Sequence, residues 1–113
     1  MKKAYRVKKN EEFQKILTEG KRVANRRFAL YYHPAAFDHD RIGISAGRKL
    51  GNAVVRNRVK RQVRMMLQEI CEFRSGYDYI LIVRQGYMSA DYATNKNDLS
   101  VLYNSVYNNM RTN

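Results

Sequence analysis

Apolar residues fall along this chain in two rhythms, and the switches between them mark its elements. Phe13, Ile16 and Leu17 recur at i, i+3 and i+4, the spacing of one helix face. Asn10 is placed to cap that helix. Glu11 and Glu12 follow where a helix start favours acids, and Gly20 stops it. Residues 26–33 (RRFALYYH) alternate instead. Phe28, Leu30 and Tyr32 share one face and Ala29, Tyr31 and His33 the other, which predicts a strand, with a short one before it at 21–24. Residues 34–40, with the sole proline, form a turn. Residues 41–47 (RIGISAG) give a further strand, with Ile42, Ile44 and Ala46 on one face. Gly43, Ser45 and Gly47 on the other leave room for close approach. Residues 52–72 form a long helix capped by Asn52. Residues 77–84 (YDYILIVR) are apolar on both faces and predict an inner strand. Residues 95–110 carry Leu99, Leu102, Tyr103, Val106 and Met110 on one helical stripe. The order is αβββαβα, a single α+β domain over 1–113 with no repeat or linker.

The long helix has two faces. At about 100° per residue, Val55, Val59, Val63, Met66, Leu67 and Ile70 occupy an arc of roughly 120°. Arg56 and Lys60 flank that arc, and Arg64, Asn57, Arg61 and Arg58 continue around the exposed side. An ordinary solvated face would carry Glu–Lys pairs at i, i+4. This helix has no acid before Glu69, and Arg56, Lys60 and Arg64 repel one another at that spacing. An anion relieves such repulsion, and an Arg-rich set suits forked contacts to phosphate oxygens.

Charge along the chain supports that reading. The 113 residues hold 22 Lys and Arg against 10 Asp and Glu, a formal +12. Residues 1–64 carry 18 of the cations and 5 of the acids, a net +13, beginning with a basic arm at 1–9. From Arg41 to Gln68 there are eight cations and no acid. A surface built only for solubility mixes its signs; this one is laid out for a polyanion. With 44% hydrophobic residues the chain has material for a core. The lysine-bearing start lacks the apolar stretch of a signal peptide, and no apolar run is long enough to span a bilayer. Cys71 is the only cysteine, which fits a reducing cytosol.

Protein-borne hydrolysis would need converging carboxylates. Asp38-His39-Asp40 is the only acidic cluster and lies in an expected surface turn, with His33 the nearest further metal donor in sequence. Cys71 has no second Cys or His at zinc spacing. GRKLG (47–51) is a tight basic turn before a helix, whose amides can hold an anion. Composition alone leaves a structural RNA-binding protein, such as a ribosomal protein, open beside any other RNA role. A DNA-binding module would need a helix-turn-helix partner, whereas here the long helix follows a strand.

KKNEEFQKI (8–16), VANRRFALY (23–31), RIGIS (41–45) and above all GNAVVRNRVKRQVR (51–64) resemble the protein component of bacterial ribonuclease P, in order and spacing over nearly the whole chain. The resemblance implies a small cytoplasmic subunit, one per catalytic RNA, with no membrane or DNA partner. It implies removal of the 5′ leader of precursor tRNA by phosphodiester hydrolysis, with the active site and its Mg²⁺ in the RNA and no cofactor or catalytic residue on the protein. Carried onto this chain, Arg56, Asn57, Arg58, Lys60, Arg61 and Arg64 match the RNA-facing helix. Lys9, Phe13, Tyr31, Ser45 and Arg84 match the leader cleft on the sheet. The implied fold is ribosomal protein S5 domain 2-like, with a left-handed crossover through the long helix, against the usual hand. There are departures. Leu17 stands where the family often has an aromatic, GRK (47–49) replaces a serine and two lysines, and RQGY (84–87) lacks the frequent proline, freeing Tyr87 for another contact.

Overall fold

The computed structural model describes residues 5–73 and 75–111, with side chains as far as Val106. The first four residues of the basic arm and the Met110 side chain lie outside that description. The elements are α1 (Asn10–Glu19), β1 (Lys21–Ala24), β2 (Phe28–Pro34), β3 (Arg41–Ala46), α2 (Ala53–Ile70), β4 (Tyr77–Val83) and α3 (Tyr92–Arg111). Short 3-10 turns lie at Arg48–Leu50 and Gln85–Ser89. This is the αβββαβα order that the periodicity predicts.

The boundaries differ where a local hydrogen bond decides them. Asn10 is not the cap of α1 but its first residue; Lys9 takes the cap position without a side-chain bond. Strand β2 starts two residues late because the Asn25 side chain accepts from the amides of Arg27 and Phe28, each at 3.0 Å, and ties residues 25–28 into a turn. It runs on into Pro34, which lies past the last β1 partner, since β1 pairing ends at Tyr32. A proline is tolerated there because no neighbour on that side needs its missing N–H. Helix α3 begins three residues early, capped by Asp91, whose side chain accepts from the Thr94 amide at 2.8 Å. Asn52 caps α2 as expected, accepting from Val55 at 3.0 Å.

The sheet order is β1-β2-β4-β3, with β1 and β3 antiparallel and parallel edges respectively around an inner β2 and β4. One face carries Phe28, Leu30, Tyr32, Ile42, Tyr79, Leu81 and Val83 into the main core. Val59, Val63, Met66 and Leu67 of α2 and Leu99, Leu102, Tyr103 and Val106 of α3 close over it. The opposite face is covered only in part. Ile16 of α1 and Val7 of the arm pack on Ile80, with Phe13, Leu17, Tyr31 and Ile82 half-buried around them.

The crossover from β3 through α2 to the parallel β4 has the hand that the resemblance implies. For an L-residue in an upward strand with its side chain toward the viewer, the carbonyl points right. Seen from the helix-covered face, Ile42 points its carbonyl right, to the Val7 amide at 3.3 Å, so β4 lies to the left of β3. The chain leaves β3, passes in front and returns on its left, a left-handed connection. The general preference for right-handed crossovers is broken here.

Candidate nucleic-acid interface

Helix α2 anchors a row of cations by burying its other side. Val63 and Met66 are fully buried and Val59 and Leu67 nearly so, while Asn57, Arg58 and Arg61 stand exposed. Arg56 and Lys60 lie half-buried on the flank, as the winding predicts. Arg64 joins them there instead of standing on the exposed side. Among the described residues no carboxylate oxygen comes within 4.0 Å of the cationic nitrogens of Arg56, Arg58, Lys60, Arg61 or Arg64. The Arg56 Nε is buried without a hydrogen-bond partner. Five positive charges are thus held on one rigid element with no internal neutralisation.

Other cations of the basic half are spent inside the protein. Arg41 opens the acid-free run of the sequence, but the fold brings acids to it from elsewhere. Its guanidinium binds Asp78 in a fork, Nε to Oδ1 at 3.2 Å and Nη2 to Oδ2 at 2.9 Å, and Glu12 at 2.5 Å. The hydrogen bond from Arg41 holds the Glu12 carboxyl below its usual range, and the bond to Asp78 raises Arg41 further. Arg27 pairs with Asp98 at 3.1 Å and donates to the Gly86 carbonyl at 2.5 Å, tying the β1–β2 turn to α3 and to the turn after β4. Sequence position alone does not separate these two arginines from the free ones.

The partly covered sheet face holds the second set. Phe13 lies against Gly43, where a Cβ would come within 2.8 Å of its ring and 2.9 Å of Ile80. The space left by that glycine is therefore filled by α1 itself, and Phe13 has a packing role. Leu17 completes the same small cluster, which accounts for an aliphatic residue at that position. Tyr31 is half-buried, with the Arg22 guanidinium 5.8 Å from its ring centre. Ser45 sits opposite Ile82 across the β3–β4 pair. Beyond it opens a pocket of about 620 Å³ that Ser45 and Ile82 share with Arg48, Lys49 and Arg84. The basic turn 47–51 and the strand residues thus meet at one end of the face. Arg84 is exposed but positioned, donating to the Asn25 carbonyl at 2.7 Å. Lys9 is exposed at the start of α1, toward the other end. Arg22 beside Tyr31 is a neighbour that only the β1–β2 register supplies.

The remaining candidates are structural. Asp40 is buried and accepts from the amides of Ser75, Gly76 and Tyr77 at 2.9, 2.8 and 3.2 Å. It organises the turn into β4, so it is not the surface residue the turn reading predicts. Among the described residues no three His, Cys, Asp or Glu side chains gather as a metal site. Burial pushes the Cys71 thiol up to about 12, which leaves it protonated and unreactive at neutral pH. Tyr87 is buried edge-on against Phe28 and donates to Gln62 of α2 at 2.7 Å. Gly86 lies so close to the Arg26 carbonyl that a Cβ would sit 2.3 Å from its oxygen.

The structure is that of a single α+β domain with a basic helix face beside a half-open, aromatic-bearing sheet face. The chain belongs to the ribonuclease P protein family, whose model, described as Ribonuclease P, matches residues 1–107. A ribonuclease P protein component of Streptococcus mutans is 48% identical over 99 residues, 88% of this chain and 83% of that protein. One from Streptococcus agalactiae is 48% identical over 103 residues, covering 90% and 94%. The solved RNase P protein of Staphylococcus aureus superposes with a TM-score of 0.84 at 39% identity, covering 92% of this chain and 96% of that one. That of Thermotoga maritima gives 0.73 at 28%, covering 86% and 94%.

Proposed function

We propose that this chain is the protein subunit of a ribonuclease P ribonucleoprotein in the cytoplasm, one copy per catalytic RNA. In this reading Arg56, Asn57, Arg58, Lys60, Arg61 and Arg64 face the RNA subunit. Lys9, Phe13, Tyr31, Ser45 and Arg84 line the path of the precursor tRNA leader. The observation that carries it is the set of five cations on α2 without an acidic partner, fixed by a buried face in a chain of this family. Phosphates supply the missing counter-charge, and Arg forks fit their oxygens. The chemistry would belong to the RNA, where bound Mg²⁺ would supply stabilisation of developing negative charge; the protein's residues bind, orient and neutralise. Tyr31 offers a ring for a leader base, and stacking of this kind is indifferent to base identity, as a subunit serving many leader sequences requires.

Reconstitution tests it. The protein is mixed with a bacterial ribonuclease P RNA and precursor tRNA at low Mg²⁺, beside protein-alone and RNA-alone controls. Cleavage at the 5′ end of the mature sequence is expected in the mixture. Cleavage by protein alone would overturn the mechanism. Tight RNA binding without any cleavage would move the chain to a structural RNA-binding role.

A further inference from the structure

At the end of the sheet face away from Ser45 and Arg84, a second concavity of about 320 Å³ lies between the basic arm and the β2–β3 turn. Arg6, Lys8 and Lys9 stand on one side, and Phe37 and His39 on the other. Glu12 and Arg41 also line it, ion-paired in a set with Asp78 that keeps one negative charge in excess, against which Lys8 and Lys9 supply two positive charges. Phe37 is 56% exposed, high for a phenylalanine held in place by two contacts. Its ring lies at 14° to His39, 5.8 Å between centres, and the Arg41 guanidinium sits 4.7 Å from it. His39 is fixed in turn by Asp38 at 3.0 Å and by the edge contact of Tyr5, which stacks on Phe73. The turn thus presents a pre-positioned aromatic pair beside Lys8 and Lys9, the combination that binds single-stranded nucleic acid: a ring for the base, cations for the backbone.

We propose that Phe37 and His39, with Lys8 and Lys9, form a second nucleotide subsite that takes a distal base of the leader. The proposal rests on the leader reading above and extends it. Two observations favour the leader as occupant. Lys9 borders this concavity and is one of the residues along the leader path. Arg41 and Ser45 share one face of β3, and four residues of strand cover about 13 Å. A strand of about four nucleotides spans that distance at the roughly 3.4 Å per nucleotide of a stacked strand, and fewer do so when stretched.

The test uses the reconstituted holoenzyme and two precursor tRNAs. One leader ends within the Ser45 end of the face; the other is longer by at least four nucleotides, the span above. The readout is the affinity gain given by the longer leader. Phe37→Ala is expected to shrink that gain about 5- to 150-fold, the equivalent of one base stacked on one ring, and Phe37→Tyr to restore it. An unchanged gain in Phe37→Ala would overturn the subsite, as would an equal loss of affinity for both substrates. Tyr31→Ala separates this from failure of the leader reading. If it weakens precursor and mature tRNA equally, the leader path itself is wrong. If it weakens precursor tRNA preferentially while Phe37→Ala leaves the gain intact, only the second subsite falls.

Discussion

Arg41 shows how far a residue's role departs from its neighbourhood in sequence. It is 7% exposed and shares its charge between Asp78 and Glu12. Removing one partner of such a buried group leaves the others uncompensated, at a cost of about 3–5 kcal/mol. Arg41→Ala should therefore lower the denaturant midpoint by that equivalent while leaving the salt slope of RNA binding as it was. Glu12 adds a pH dependence. Its carboxyl is held below the usual range by the Arg41 hydrogen bond, so the folded protein keeps it charged where the unfolded chain takes up a proton. The stabilisation is complete above the ordinary carboxylate pKa of about 4.3 and is lost as pH falls through the lower folded value. Thermal melting over that range should show a drop that is shallower in Glu12→Gln. The alternation of RIGIS reveals that Arg41, Gly43 and Ser45 share a face, but not that acids from α1 and β4 meet the first, or that Phe13 fills the space over the second.

The division of labour in α2 belongs to the element. Its buried valines and Met66 fix the helix on the sheet, and its arginines are free because nothing on the same helix answers them. The two sides should respond oppositely to mutation. Met66→Ala, at a fully buried site, should cost about 2–5 kcal/mol in stability. Arg58→Ala with Arg61→Ala should change stability by no more than about 0.5 kcal/mol, yet weaken assembly with the RNA subunit and reduce its salt slope by about two. A collapse of Tm in the double variant would make those arginines structural. This helix was legible almost residue by residue, because a 3.6-residue period places every side chain once one face is assigned. Arg64 is the exception, half-buried where the winding places it on the exposed side. Ends were less legible: Asn25 and Asp91 set strand and helix starts by side-chain bonds that periodicity does not report.

For the whole molecule the governing quantity is the net charge of its first 64 residues, +13, less what the fold neutralises. If the five free cations of α2 each meet a phosphate, log affinity for the RNA subunit should fall with log salt at a slope of about −4 or steeper. Titrations at several salt concentrations measure it, and a flat response would contradict an electrostatic interface. The exposed turn around Phe37 lies on the same partly covered sheet face as the candidate leader residues, so one strand can touch both ends.

What the sequence determined by itself was everything local: the order αβββαβα, the buried stripe and cationic face of α2, the inner position of β4, and the excess of charge that calls for a polyanion. These follow from periodicity and composition, which need only neighbours along the chain. The tertiary structure alone decided which charges survive folding. Arg27 and Arg41 are neutralised by acids 71 and 37 residues away, whereas the arginines of α2 meet none among the described residues. It also decided which aromatics are spent on packing, as Phe28 and Tyr87 are, and which remain presented, as Phe37 is. Pairing between distant residues is fixed by strand register and crossover hand, and neither is written in any local stretch of the chain.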